Sequence, residues 1–454
     1  LAGRLSAAVG KLVAAMESAE EHSAIERRPA QAGAAGGPPA RAGSAGPRGS
    51  QGPAEALGGG PAARAGIARL GSRELFPTLE ARSYLAHAAI APPSLPVQAA
   101  AAEVSARFAR EGLPAIVHAK AEAERARRAF ASLIDVAPER VARLSNTSAG
   151  VIAVAEGLRW RSGERILLVE GEFPTNVAPW LAVARRRGLE VLRLPLGAFE
   201  SEGGAGLELA EAALRRGVRL MAVSAVQFAS GYAMPLQALA DLCRRSGCLL
   251  FVDAIQAVGA TPLDAQALGL DFLAAGAHKW LMGILGAGFL YVRPGAEAQL
   301  EPHGVGWMSL EDPERFLFAD QGPVPFDARP AAGVERLEPG VLPFAALAAA
   351  AAGMELLAGL GVPAIHAHVN ALFERFEPLL LARGFRSRRA RDPAARSTIL
   401  ALEPPPDRSL AQVLAALSAE GIAATAPAGL LRLAPHWPNH ADESAALAAA
   451  LARL

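Results

Sequence analysis

The chain has 454 residues, with 45 basic and 44 acidic side chains and a formal net charge of +1. That length holds two or three domains at about 100–200 residues each, and a balance this close to neutral excludes nucleic acid as the main partner, because such binding rests on a Lys/Arg excess. Mean hydropathy is +0.23. Even so, the longest stretch free of Asp, Glu, Lys and Arg, Leu220 to Ala240, is broken by Gln227, Ser230, Gly231, Pro235 and Gln237 and does not read as a membrane span.

Residues 5–28 have the spacing of a short amphipathic helix, with Leu5, Val9, Leu12 and Met16 on one face. They carry no secretory signal pattern, since the apolar run Lys11 to Met16 is short and Glu17, Glu20 and Glu21 follow it. From Pro29 to Gly66, 11 of 38 residues are Gly, 6 are Pro, and Leu57 is the one large apolar side chain. That is too little to offset an ordering cost of about 1–2 kcal/mol per residue, so residues 1–70 read as a disordered tail.

Beyond the tail the pattern becomes that of an α/β protein. Val97 to Ile134 predicts helix, interrupted near Gly112 and Pro114. Strands are expected at Arg165–Glu170, Glu190–Leu194, Val218–Val226, Cys248–Asp253, Asp271–Ala275 and Gly288–Val292, with helices at Asn176–Arg187, Leu207–Arg216 and Pro235–Ser246 between them. Alternation of this kind implies a mainly parallel sheet covered by helices on both faces, with ligands at the carboxyl ends of its strands. The large domain is taken as 71–325 and a smaller α+β domain as 326–454. The latter has helices at Pro343–Leu360, Pro363–Arg383 and Ser409–Glu420 and strands at Ser397–Leu402 and near Gly429–Ala434.

Several signatures are absent. There is no G-x-x-x-x-G-K-[ST], no H-E-x-x-H and no G-x-S-x-G. The glycines Gly283, Gly286 and Gly288 open a strand and read as a turn. His366 and His368, two apart on a helix, face different ways, so no metal site is expected. Cys243 and Cys248 exclude a disulfide framework and fit a buried helix–strand junction in a reducing cytoplasm.

Three features carry chemistry. Lys279, in Ala277-His278-Lys279-Trp280, follows a strand after a short connection; desolvated there, its amine would become a nucleophile, although a lysine on a surface loop is the plain alternative. Asp253 ends an apolar strand 26 residues earlier and needs a cation if buried, or else caps the following turn. Asn146-Thr147-Ser148-Ala149-Gly150 opens a helix and offers N–H groups to a phosphate, or is simply an N-cap. Pyridoxal 5′-phosphate (PLP), with a phosphate, a basic ring nitrogen and an aldehyde, suits all three.

From Phe76 to Leu454 the sequence resembles the class V aminotransferase group of fold-type I PLP enzymes, which includes cysteine desulfurases, isopenicillin N epimerase and kynureninase. The likeness lies in Tyr84-Leu-Ala-His, Asn146-Thr-Ser-Ala-Gly150, Glu172-Phe-Pro-Thr-Asn-Val-Ala-Pro-Trp180, Val226-Gln-Phe-Ala-Ser-Gly231, Asp253-Ala-Ile-Gln256, His278-Lys279 and Arg432-Leu-Ala-Pro-His436. The resemblance implies a seven-stranded-type sheet, a homodimer and an internal aldimine on Lys279, which then moves the α-proton. Asp253 would face the pyridinium nitrogen, Phe173 would stack on the ring unless it packs in the core, and Gln256, with Gln227, would reach the ring hydroxyl. His278, Ser148, the Ala149 N–H and Thr147 would take the phosphate. Arg432 would clamp the substrate carboxylate, unless it is a surface arginine.

Two departures stand out. Val341 occupies the position where family members often place a threonine that reaches the partner subunit's phosphate, and no cysteine follows Cys248 to act as the persulfide-forming thiolate of a desulfurase. The resulting expectation is an enzyme acting on a small α-amino acid through a quinonoid carbanion, by transamination, β-elimination or epimerisation. A PLP-fold scaffold without catalysis is the other reading, and the first 70 residues could recruit a partner.

Overall fold

The computed structural model describes residues 68–201, 203–301, 303–314 and 327–454. The helix expected at 5–28 and all but the end of the expected tail lie outside the described residues. Twelve strands are defined among the described residues, of which seven form the central sheet: β2 (Val141–Leu144), β3 (Arg165–Val169), β4 (Glu190–Leu194), β5 (Val218–Ser224), β6 (Leu249–Asp253), β7 (Phe272–Gly276) and β8 (Gly288–Val292). Their order is β2-β8-β7-β6-β5-β3-β4. β8 is antiparallel to both its neighbours, whereas β7, β6, β5, β3 and β4 pair in parallel. The mainly parallel sheet expected from the alternation is therefore present.

Both faces of this sheet are buried, which is why its strands read as continuous apolar runs. Alternate residues go to opposite sides. Leu167, Val169, Met221, Val223, Leu250, Val252 and Leu273 belong to one core cluster, and Ile166, Leu168, Leu220, Ala222, Phe251 and Phe272 to the other. At about 1.5–3 kcal/mol for each large side chain removed from water, this two-sided burial dominates the domain's cohesion.

Helices α1 (Leu95–Glu111) and α2 (Ile116–Leu133) are separated by a short 3-10 turn at Leu113–Ala115, where Gly112 and Pro114 interrupt the pattern. Helix α3 (Thr147–Gly157) opens where the motif Asn146 to Gly150 marks a helix start, with Asn146 as its cap. Helices α4 (Ala178–Arg187), α5 (Gly206–Leu214) and α6 (Leu236–Arg245) follow the expected positions. Cys243 and Cys248 are free, buried and flank the α6–β6 junction.

The C-terminal part has its own core around the antiparallel sheet β12-β10-β9, made of β9 (Arg386–Ser387), β10 (Leu400–Glu403) and β12 (Leu431–Leu433). Helices α8 (Val362–Leu381), α9 (Leu410–Ala419) and α10 (Glu443–Ala452) cover it. Helix α7 (Phe344–Leu360) lies beyond the expected 325/326 boundary in sequence but packs its alanine face on α1 and α2 of the large domain. A segment near the start ties the two parts together. β1 (Ser83–Tyr84) pairs with β11 (Ile422–Ala423), the His87 N–H donates to the Ala434 carbonyl at 3.1 Å, and the Ala91 N–H donates to the His278 carbonyl at 2.8 Å. Among the described residues no single helix is long and apolar enough to cross a membrane.

Gly288, at the start of β8, allows the strand to pass directly beneath the cap of α3. A Cβ there would lie 2.7 Å from Asn146 Cα, against backbone that cannot swing aside. Gly288→Ala should therefore cost about 1–3 kcal/mol of stability in denaturant unfolding, a typical overpacking penalty.

Candidate active site

The carboxyl ends of β2, β3, β6 and β7, together with a strand of the C-terminal sheet, converge on one cavity of about 430 Å³. Of the residues expected to act, it brings together Thr147, Ser148, Phe173, Asp253, Gln256, His278, Lys279 and Arg432. Gln227 and Ala149 are not on its wall.

Lys279 follows the end of β7, and its Nζ lies 5.5 Å from the centroid of the Phe173 ring. Among the described residues no hydrogen bond or ion pair engages that amine. Burial pulls its pKa from the usual 10.5 down to about 8; Asp253 opposes this, and the Arg432 charge adds to it. The alternative of a lysine on a surface loop does not describe this side chain.

Asp253 ends β6 and is 3% exposed. Its Oδ1 accepts the Ile255 N–H at 3.0 Å, so the turn-capping role is real, but it leaves the carboxylate facing the cavity with Lys279. Burial raises its pKa to about 7; the Ile255 N–H lowers it, the nearby Glu172 carboxylate raises it further and Lys279 lowers it. An acid and an amine pushed toward each other's range within one cavity are what proton-transfer chemistry near neutral pH requires.

The anion cradle is the first turn of α3. Asn146 is its N-cap, in extended conformation, with Oδ1 accepting the Ala149 N–H at 2.9 Å. That corrects the expectation of a free Ala149 donor: the cap satisfies the third amide, leaving those of Thr147 and Ser148 as unclaimed donors of the turn. Thr147 Oγ1 is buried without a partner, and Ser148 Oγ lies 2.9 Å from Thr175 Oγ1. Gly150 lets this turn press on β7, since a Cβ there would meet Ala274 Cβ at 2.9 Å. His278 shares the wall, and burial, followed by Lys279, lowers its pKa.

Phe173 is 44% exposed and edge-on to Phe228 at 5.3 Å, which removes the core-packing alternative. Gln256 lines the cavity with its amide already used: Nε2 donates to the Ala88 carbonyl at 3.0 Å and Oε1 accepts from Trp280 Nε1 at 2.7 Å. Gln227 donates to Glu172 at 3.0 Å, away from the cavity wall, so it does not join Gln256.

Arg432 is the middle residue of β12. Leu431 and Leu433 point into the C-terminal core, so strand alternation sends Arg432 the other way. It is 5% exposed, with Nε donating to Thr425 Oγ1 at 3.1 Å and Nη1 to the Phe228 carbonyl at 2.5 Å. Burial lowers its pKa to about 10, and no carboxylate pairs with it among the described residues. The residues that sequence reasoning missed are Asn146, Thr175, Phe228 and Pro427. The first three lie inside quoted motifs, whereas nothing marks Pro427 in sequence.

The raised pKa of Asp253 has a sign that can be checked. Its folded value, about 7, lies above the ordinary 3.8. Its contribution to stability is thus fully present below about pH 4 and is lost as pH rises through 7. In cofactor-free protein, Asp253→Asn should raise the melting temperature at pH 8 and lose that advantage near pH 4. Equal gains at both values would show that Asp253 is not held in this state.

Comparison with known proteins agrees with this geometry. The family model for aminotransferase class-V matches residues 84–430. An uncharacterized aminotransferase, YcbU, of Bacillus subtilis is 28% identical over 82% of this chain and 94% of its own length. Isopenicillin N epimerase of Streptomyces clavuligerus is 32% identical over 72% of this chain and 83% of its own. Among solved structures, a C-DES mutant with glycine covalently linked to its PLP cofactor superposes with a TM-score of 0.76 at 23% identity, covering 84% of this chain and 99% of that one. Cysteine desulfurase CsdA of Escherichia coli gives 0.70 at 24% identity, covering 82% and 94%. Fold, cavity and family match converge: the chain belongs to the aminotransferase class V family of fold-type I proteins, whose cofactor is pyridoxal 5′-phosphate.

Proposed function

We propose that the protein is a PLP-dependent enzyme that labilises the α-hydrogen of a small α-amino acid, leading to transamination, β-elimination or epimerisation. The observation that supports this reading is the pairing in one cavity of a half-buried lysine amine and a buried carboxylate that, among the described residues, have no hydrogen-bonded and no arginine partner respectively. The residues present fit the cofactor. The orphaned Thr147 hydroxyl and the unclaimed amides of the α3 turn suit a phosphate, and Arg432 lacks an anion. Bound there, PLP supplies an aldehyde and an electron-withdrawing ring that acidifies the α-hydrogen of an attached amino acid.

The chain's own residues divide the remaining work. Lys279 would hold the aldehyde carbon and, once displaced, carry the proton at the α-carbon; its pKa of about 8 lets the amine act as a base near neutrality. Asp253 would hold the ring nitrogen's proton, and Phe173 would cover the ring. Thr147, Ser148 and His278 would take the phosphate. Gln256 positions rather than binds, because its amide locks Trp280, the residue after Lys279, to the segment at Ala88. Arg432 would fix the substrate carboxylate, as a planar fork in a desolvated pocket does well. Persulfide-forming desulfurase chemistry is disfavoured, since both cysteines are buried at the α6–β6 junction. The free, buried thiols suit a reducing compartment. A homodimer is part of the reading, with Val341, 68% exposed, where a threonine would reach across.

Two substitutions test the roles. Lys279→Ala should abolish both covalent attachment of PLP to the chain on borohydride reduction and turnover, the latter by at least about a thousandfold; near-normal turnover would refute the assignment. Arg432→Ala should raise KM for carboxylate substrates about ten- to a hundredfold, the worth of a charge-assisted pair. Loss of α-hydrogen signal in deuterated water, followed across a panel of amino acids by NMR, identifies the substrate and separates epimerisation from transfer.

A further inference from the structure

One buried ionisable group is left without a task. Glu172, in the loop after β3, is 8% exposed. Its Oε1 accepts the Ser224 N–H at 2.7 Å and Gln227 Nε2 at 3.0 Å, and its Oε2 accepts the Ser224 hydroxyl. Fully buried Asn176 lies beside it. No lysine or arginine pairs with it among the described residues. Ser224, which grips both of its oxygens, is paired in register with Asp253 on the adjacent strand, so Glu172 is anchored to the strand that neighbours Asp253.

Burying one carboxylate without a cation is costly, and placing a second beside it more so. The arrangement makes sense if a positive charge enters the cavity. We propose that Glu172 is a positioning residue of the cofactor site, a second buried anion that acts through Asp253 to keep the ring nitrogen protonated. This rests on the assignment of Asp253 to that nitrogen. Glu172 raises the proton affinity of Asp253; burial raises that of Glu172 itself, and the donors Ser224, Gln227 and Asn176 oppose this by favouring its carboxylate form. The charged groups facing the pair are Lys279 and Arg432 across the cavity, with His278 behind Lys279. On the outer side of Glu172, Glu170 and Arg193 share with it a separate cavity of about 340 Å³. A structural role alone, holding the end of β5, needs the hydrogen bonds but not the charge.

That difference can be tested with Glu172→Gln, which keeps the shape and removes the charge. The retained oxygen can keep the Ser224 N–H and the Gln227 donor, and the new NH2, in place of Oε2, can donate to the Ser224 hydroxyl. Holoenzyme reconstituted with ring-15N-labelled PLP reports the protonation of the ring nitrogen by NMR across a pH series. In Glu172→Gln the ring nitrogen should lose its proton at a pH lower by on the order of one unit than in the wild type, and Glu172→Asp should restore the wild-type curve. Gln227→Met, which removes one donor from the carboxylate, should shift the curve the same way by less, and reads the same quantity if the glutamine variant does not fold. Curves that coincide for wild type, Glu172→Gln and Gln227→Met would overturn the proposal while leaving Asp253 in place. A wild type that binds PLP with an unprotonated ring nitrogen, or does not bind it, would overturn both.

Discussion

Electrical incompleteness governs this molecule. The cavity gathers an amine, a carboxyl and a guanidinium, with a second buried carboxyl, Glu172, held on the strand beside Asp253, and hydrogen bonds inside the protein satisfy only some of them. Burying such groups costs stability that something else in the fold must offset. The sheet makes the arrangement affordable in stability: burial on both faces supplies the cohesion, and the strand ends hold the charges in fixed register.

The parts of this design that were legible in sequence are those with a strong local signal. The parallel strands showed as short apolar runs because both their faces are covered, and Lys279 and Asp253 stood out as polar residues abutting those runs. β2 was missed because its four residues, Val141–Leu144, sit between a 3-10 turn and a helix cap, too short to show a period. Helix α10 was missed because its alanine-rich sequence, with alanine at most positions, blurs any apolar stripe.

The fine geometry was less legible. Which amide of the α3 turn stays free depends on the rotamer of Asn146, and sequence carries no record of it. Gln227 and Gln256 looked alike as residues beside strand ends, yet one serves Glu172 and the other bridges Trp280 and Ala88. Arg432 could be read either as a clamp or as a surface residue. Its burial follows from the core claimed by Leu431 and Leu433, a fact of tertiary packing. Family membership narrows the chemistry to what PLP can do. Phe228 and Pro427 line the cavity together with Arg432.

The segment that joins the two parts also sets a schedule. Ser83 leaves the ribosome well before its strand partner, Ile422, and before the Ala434 carbonyl that receives the His87 amide. The same segment supplies Ala88 and Ala89 to the cavity wall and clamps the backbone at His278. A nascent chain that has not yet reached Ile422 therefore carries its lysine on a complete central sheet but with that wall still open.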